Sequence, residues 1–260
     1  MSLQLQGPFD VIPSCHLWIS EDDRGVCPER NDEAATSIMD ARDRQRWQRF
    51  RPAEKKHQFL SSRLAVRHVL DHEFRWSDAE AHFTADDSGR PMVTSTDGKE
   101  LCRISLSHSS SVTAVAIVHG TTKVGVDIET FGDTRPGTSS SLGISPDEVD
   151  HLHHMTGMNT AFCTTAVWTI KEAVWKAFDG VDFLLPSQIG FEQDTAGMLS
   201  WHVQSGTIKE QGPLMFFIPP NSPMLTGPEE MVLRLPTRFQ TPFLGSVALR
   251  LSTDVASHMN

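Results

Sequence analysis

Apolar residues, among them Phe162, Val167, Ile170, Val174 and Phe178, recur at roughly three to four positions between Asn159 and Phe178, the period of a helix with one face on a core. Gly180 supplies the stop. Upstream the period changes: Lys123-Val-Gly-Val-Asp-Ile-Glu129 alternates apolar and acidic residues, which predicts a strand. Val124, Val126 and Ile128 then face the core, and Asp127 and Glu129 share the opposite face, separated by roughly 6.6 Å of rise.

The same reading extends along the chain. Residues 1–30 read as a strand and loops. Asn31 or Asp32 predicts the cap of a helix from Glu33 to about Phe50, and Pro52 opens a second helix to about Phe74. Strand-like runs follow at His82 to Thr84, Met92 to Thr94, Arg103 to Leu106 and Val112 to Val118. With His119-Gly120 as a turn, the last of these predicts a hairpin into Val124, placing Ser107-His108-Ser109 just before one arm and Asp127 and Glu129 on the other. Residues 130–144 read as a loop, and Ser145-Pro-Asp-Glu148 has capping-box spacing. Beyond Pro186 five strand-like runs alternate with Pro-rich connections, and residues 252–260 read as a frayed tail. The fold class expected is α+β.

With 260 residues, 38% hydrophobic and 22% charged, the chain suits one large or two smaller folded domains. No apolar run reaches the roughly 20 residues of a membrane helix, and the N-terminus lacks the charged and apolar regions of a leader; the expectation is a cytoplasmic protein. Cys15, Cys27, Cys102 and Cys163 are scattered, so neither a disulfide framework nor a zinc site is indicated, and buried free thiols are expected.

Net charge of −10 argues against general nucleic-acid binding, but the charge is uneven. Between Arg42 and Arg67 nine Lys or Arg face two acids, a local excess of seven positive charges, so the remainder carries −17. Such a block is an electrostatic footprint for a polyanion or an acidic partner.

The helix and the acidic strand together carry the chemistry. Glu172 and Lys176 are four apart and share a helix face, roughly 5–6 Å between Cβ atoms. Taken alone that is an ordinary exposed pair, and Asp127-x-Glu129 taken alone is an ordinary polar strand end. Three carboxylates brought together would make an oxygen site suited to Mg²⁺, which uses few protein ligands together with water and substrate phosphates. His151-Leu-His-His154 offers no spaced acidic ligand or cysteine and is not read as a metal site, and Trp168 and Trp175 read as packing residues.

Gly125-Val-Asp-Ile-Glu129 followed by Trp168-Thr-Ile-Lys-Glu-Ala-Val-Trp-Lys176 resembles the paired signature of the 4′-phosphopantetheinyl transferases, in their long, pseudo-symmetric, single-chain type. Ser105-Leu-Ser-His-Ser109 resembles the family's Ser-His-Ser element, Ser88-Gly-Arg-Pro91 its Gly-Lys-Pro turn with Arg90 in place of Lys, and Phe59 to Leu70 its Arg-containing helix. The resemblance covers roughly residues 45 to 195. It implies two similar α+β halves packed together, divided here as 1–122 and 123–260. It implies transfer of the 4′-phosphopantetheine arm of coenzyme A to a serine of an apo acyl or peptidyl carrier protein, releasing adenosine 3′,5′-bisphosphate.

On the same resemblance Asp127, Glu129 and Glu172 hold Mg²⁺, with Mn²⁺ an alternative. Glu172 also accepts the serine proton, and Lys176 neutralises the transferring phosphate. Ser107, His108, Arg49, Arg90 and Lys176 contact coenzyme A. The partner expected is a carrier protein docked on the Arg42 to Arg67 block or an apolar patch near the central helix, with no nucleic acid and no transmembrane segment; the protein itself is expected to be a monomer. The pathway, whether fatty-acid, polyketide, non-ribosomal peptide or siderophore synthesis, is left open. Two other classes remain: a Mg²⁺-dependent nuclease or phosphohydrolase, since acidic residues with a lysine also organise phosphodiester cleavage, and a non-catalytic module that binds coenzyme A or a carrier.

Overall fold

The computed structural model describes residues 3–22, 39–74, 81–86, 90–120, 122–131, 143–180, 184–220, 232–236 and 239–251. Six antiparallel strands form a first sheet: β1 (Leu3–Ile12), β2 (Cys15–Asp22), β3 (Ala81–Ala85), β4 (Pro91–Ser95), β5 (Glu100–Ser109) and β6 (Val112–Val118), in the order β1-β2-β6-β5-β4-β3. A second sheet contains β7 (Lys123–Thr130), β8 (Ile189–Gln193), β9 (Leu199–Ser205), β10 (Ile208–Ile218), β11 (Val232–Arg234) and β12 (Phe243–Arg250). Its order is β7-β12-β10-β9-β8, with β11 parallel to β10. Among the described residues four α-helices complete the α+β fold expected from the chain pattern: α1 (Ala41–Arg49), α2 (Ala53–Phe74), α3 (Pro146–Thr156) and α4 (Thr160–Ala177).

The alternation of side chains explains the layering. On β6, Val112, Ala114, Ala116 and Val118 join a core shared with Val124, Val126 and Ile128 of β7 and with Phe217 and Val247 of the second sheet. Val115 and Ile117 of the same strand point the other way, onto Ala65, Val66 and Val69 of α2. The two sheets are therefore packed face to face, and β6, covered on both faces, is buried at all seven positions. On the far side α4 lays Phe162, Val167, Ile170 and Val174 against Trp201, Leu214 and Phe216 of the second sheet.

The expected hairpin from Val118 into Val124 does not form. Strand β6 pairs with β2 along one edge and β5 along the other, from Val112 to Val118 in both registers, so it has no free edge for β7. The chain instead leaves the first sheet after Val118, and β7 pairs with β12 in the second. Ser107-His108-Ser109 ends β5 and precedes β6, but β6 forms its hairpin with β5, Ser109 opposite Val112, and not with β7.

The first described helix starts at Ala41, later than the expected Glu33. Its N-cap is Asp40, whose carboxylate accepts from the Asp43 amide at 2.6 Å, and the cap expected at Asn31 or Asp32 lies outside the described residues. Arg63 of α2 then binds Asp43 through both carboxylate oxygens, at 2.5 and 2.9 Å, and stacks over Phe59 and Phe83. That arginine, counted in the basic block, is a tie between helices. The capping box at Ser145 and Glu148 forms as its spacing predicts.

Helix α4 approaches β7 closely because position 125 is glycine. A Cβ there would lie 1.8 Å from the carbonyl oxygen of Ala173. Lys171, next to the site residue Glu172, turns away and is fully buried. Its ammonium binds Glu148 at 2.6 Å and the carbonyls of Pro186 and Ile189, bracing α3 and a short 3-10 turn against α4. Cys15, Cys102 and Cys163 are free and buried, as expected, and burial pushes the Cys15 and Cys102 thiols up to about 12; Cys27 lies outside the described residues. Among the described residues no helix is long and apolar enough to cross a membrane.

Candidate active site

Strand β7 is the edge strand of its sheet, and an edge strand presents unpaired backbone groups. Here β5 meets that edge with serines at every second position. Ser105 accepts from the Val126 amide and Ser109 from the Thr130 amide, both at 3.0 Å, while Ser107 donates to Asp127 at 2.8 Å and Ser109 to Glu129 at 3.0 Å. The serines thus replace a neighbouring strand and fix both acidic side chains.

Asp127 is buried, and its Oδ1 also accepts from the Lys176 ammonium at 2.7 Å. Lys176 donates further to the Val126 carbonyl at 3.1 Å. Lys176 was expected to share a helix face with Glu172; its ion pair is made across to Asp127, because α4 lies directly over β7. Trp168, read from the sequence as packing, donates its indole N–H to Glu129 at 3.2 Å.

Burial raises the pKa of Glu129, and the neighbouring Asp127 carboxylate adds to the rise against the hydrogen bonds of Ser109 and Trp168. Burial likewise raises Glu172, with Lys176 opposing and Asp127 and Glu129 adding to it. Glu129 and Glu172, which hold their protons more tightly than usual, are equally ready to accept a cation. Asp127 Oδ2 is buried without a hydrogen-bond partner, which a bound cation would satisfy. As they stand, no three His, Cys, Asp or Glu among the described residues are grouped closely enough to hold a metal ion. The donor set nonetheless suits a hard divalent cation that takes its remaining ligands from water and substrate.

These groups line a cavity of about 700 Å³ between the two sheets and the helices. Asp127, Glu129, Glu172 and Lys176 come from the second-sheet side, and Ser107, His108 and Arg90 from the first. Arg90 binds Asp86 through its backbone amide at 2.9 Å and its Nε at 3.1 Å, and reaches Glu100 at 3.4 Å. His108 is exposed as a residue, but the protein crowded against its ring lowers its pKa, and the ammonium groups of Lys55 and Lys176 add to this.

Arg49 stands apart. It is exposed at the end of α1 and is not among the residues lining the cavity. Arg46 and Lys55 of the same basic block do line it, as do Arg103, Lys123 and Asp179, none of which the sequence reading selected. For Lys123 the signal was present: it continues the alternation 123, 125, 127, 129 on the strand face that carries the acids. Phe50, Phe59, Phe83, Trp168 and Trp175 give the cavity an apolar component.

The fold and site define an α+β protein with a cleft lined by acids and bases at the meeting of two sheets. Residues 123–213 match the family model described as the 4′-phosphopantetheinyl transferase superfamily. It is 22% identical over 169 residues to a protein of Synechocystis sp. (strain ATCC 27184 / PCC 6803 / Kazusa) whose name provisionally assigns it as a 4′-phosphopantetheinyl transferase. That match spans 64% of this chain and 65% of the relative, just under two thirds of its length.

Proposed function

We propose that the protein transfers the 4′-phosphopantetheine arm of coenzyme A to a serine hydroxyl of an apo carrier protein, releasing adenosine 3′,5′-bisphosphate. The observation that carries this reading is the convergence of Asp127, Glu129, Glu172 and Lys176 with Arg90 and His108 on one cavity. Asp127, Glu129 and Glu172 are the residues that would hold Mg²⁺ or Mn²⁺, and such an ion supplies charge neutralisation at a pyrophosphate.

The residues divide the remaining work. In the reaction the serine oxygen forms a bond to the β-phosphorus of coenzyme A while the bond from that phosphorus to the bridging oxygen breaks, and the bisphosphate leaves with that oxygen. Glu172, whose raised pKa makes it a stronger base than an ordinary carboxylate, accepts the serine proton directly or through water. Lys176 counters charge at the transferring phosphate. His108, Ser107, Arg90 and Lys55 face the ligand's 3′-phosphate, and Arg46 takes the place that the sequence reading gave to Arg49.

Carrier proteins of the acidic kind would dock at the exposed basic residues of α1 and its surroundings that lie outside the cavity wall, Arg44, Arg49 and Arg51. The test is intact mass spectrometry of apo carrier proteins incubated with the protein, coenzyme A and Mg²⁺, beside Glu172→Ala. A gain of one phosphopantetheine mass, lost in the variant and with chelator, is expected. Coenzyme A binding without any gain on any carrier would replace this reading with that of a non-catalytic binding module.

A further inference from the structure

Asp179 sits in the turn that ends α4, with a left-handed φ of 63°, and lines the cavity. Its carboxylate is ion-paired with Lys123, the first residue of β7, and lies 3.6 Å from Arg90 of the first-sheet side. Its two oxygens thus lie between two cations that approach from different parts of the fold. All three side chains are part-buried, at 19% exposed for Arg90, 27% for Asp179 and 31% for Lys123, so solvent screens the group only in part.

Arg90 does not depend on Asp179 for its place. Asp86 holds it through the backbone amide and Nε, and Glu100 approaches the same Nη1 at 3.4 Å, closer than Asp179 does. Lys123 is different: its ion pair is with Asp179. The carboxylate therefore contributes a full negative charge inside a cavity whose other bases would attract an anion, and it takes up the donors that a phosphate oxygen would use.

We propose that Asp179 is a specificity-determining residue, an internal anion that occupies the Arg90 and Lys123 position and sets how tightly the cavity holds a phosphorylated ligand. Removing its charge frees Lys123 and lowers the repulsion met by an incoming phosphate. The naming of the ligand as an adenosine bisphosphate rests on the transferase reading; the anion competition itself does not.

The test is calorimetric titration of the wild-type chain, Asp179→Asn and Asp179→Gly with three probes: inorganic pyrophosphate, adenosine 3′,5′-bisphosphate and uncharged adenosine. Asn tolerates the left-handed conformation and Gly adopts it freely, so both variants retain the turn, which thermal melting checks. The expected result is binding of both anions roughly three- to tenfold tighter in both variants, with a steeper loss of affinity on adding salt and no change for adenosine. Unchanged or weaker pyrophosphate binding in the two folded variants would overturn the proposal and make Asp179 a purely structural tie. Tighter pyrophosphate binding without any binding of adenosine 3′,5′-bisphosphate would keep the anion competition and remove the ligand assigned to this cavity. Failure of every chain to bind either anion would overturn both.

Discussion

Ser107 of β5 donates a 2.8 Å hydrogen bond to Asp127 of β7, joining residues that belong to different sheets. Its neighbour two positions on, Ser109, does more: it donates to Glu129 and also accepts from the buried Thr130 amide. Ser109→Ala therefore strands a backbone donor as well as loosening a carboxylate, at a cost of about 1–3 kcal/mol, whereas Ser107→Ala leaves Asp127 its bond from Lys176 and costs about 1 kcal/mol. Thermal melting of the two variants should rank them in that order, and equal melting temperatures would refute the double role of Ser109.

Gly125→Ala should be among the most damaging single-atom-group additions in the chain. The new Cβ would lie 1.8 Å from the Ala173 carbonyl oxygen, backbone against backbone, so α4 must move off β7. A loss of at least about 3 kcal/mol is expected, together with loss of transfer activity, because Glu172 and Lys176 move with the helix. A variant as stable as wild type by denaturant titration would show that the helix can retreat without strain.

Glu172 titrates above the ordinary carboxylate range in the folded chain. The folded state therefore binds that proton more tightly than the unfolded chain does, so stability falls as pH rises from the ordinary range through the raised value, and the full cost is present above it. Glu172→Gln removes the cost: it should melt higher than wild type at pH 7.5, with the difference closing as pH is lowered toward about 4. The same variant should lose turnover. A melting difference that does not vary with pH would count against this account.

Charge reversal on the exposed basic surface should separate carrier recognition from ligand binding. Arg44, Arg49 and Arg51 are exposed and lie outside the cavity wall, unlike Arg46 and Lys55. Arg42 is a poorer choice, since it donates to the carbonyls of Ala85 and Asp86. The triple variant Arg44→Glu, Arg49→Glu, Arg51→Glu should raise the carrier KM about tenfold or more at low salt, with coenzyme A affinity unchanged. An unaltered carrier KM would move the docking surface elsewhere.

The pattern of the chain carried the local structure well where one face of an element meets the core and the other does not. The period of three to four residues before Phe178 is helix α4, and the alternation from Lys123 to Glu129 is β7 with Asp127 and Glu129 on one side. Pairing was less visible. Strand β6 is buried on both faces and so says nothing about which strands flank it, and a turn-like His119-Gly120 is compatible with either a hairpin or a passage between sheets. The partner of Lys176 was hidden for a related reason: helix spacing places Glu172 beside it, while the contact with Asp127 depends on how closely Gly125 lets the helix settle. Asp179 and Arg90 are far apart in sequence, and nothing local announces that they meet.

The passage from β6 to β7 has a mechanical consequence. Only four residues separate Val118 from Lys123, a tether that spans no more than about 18 Å when fully drawn out. At one end of it lies the sheet bearing His108 and Ser107, at the other the strand bearing Asp127 and Glu129. The two walls are therefore joined by one short crossing and by the core packed between the sheets, not by a long hinge. The crossing thus acts as a short strap that keeps the two faces of the cleft close to each other.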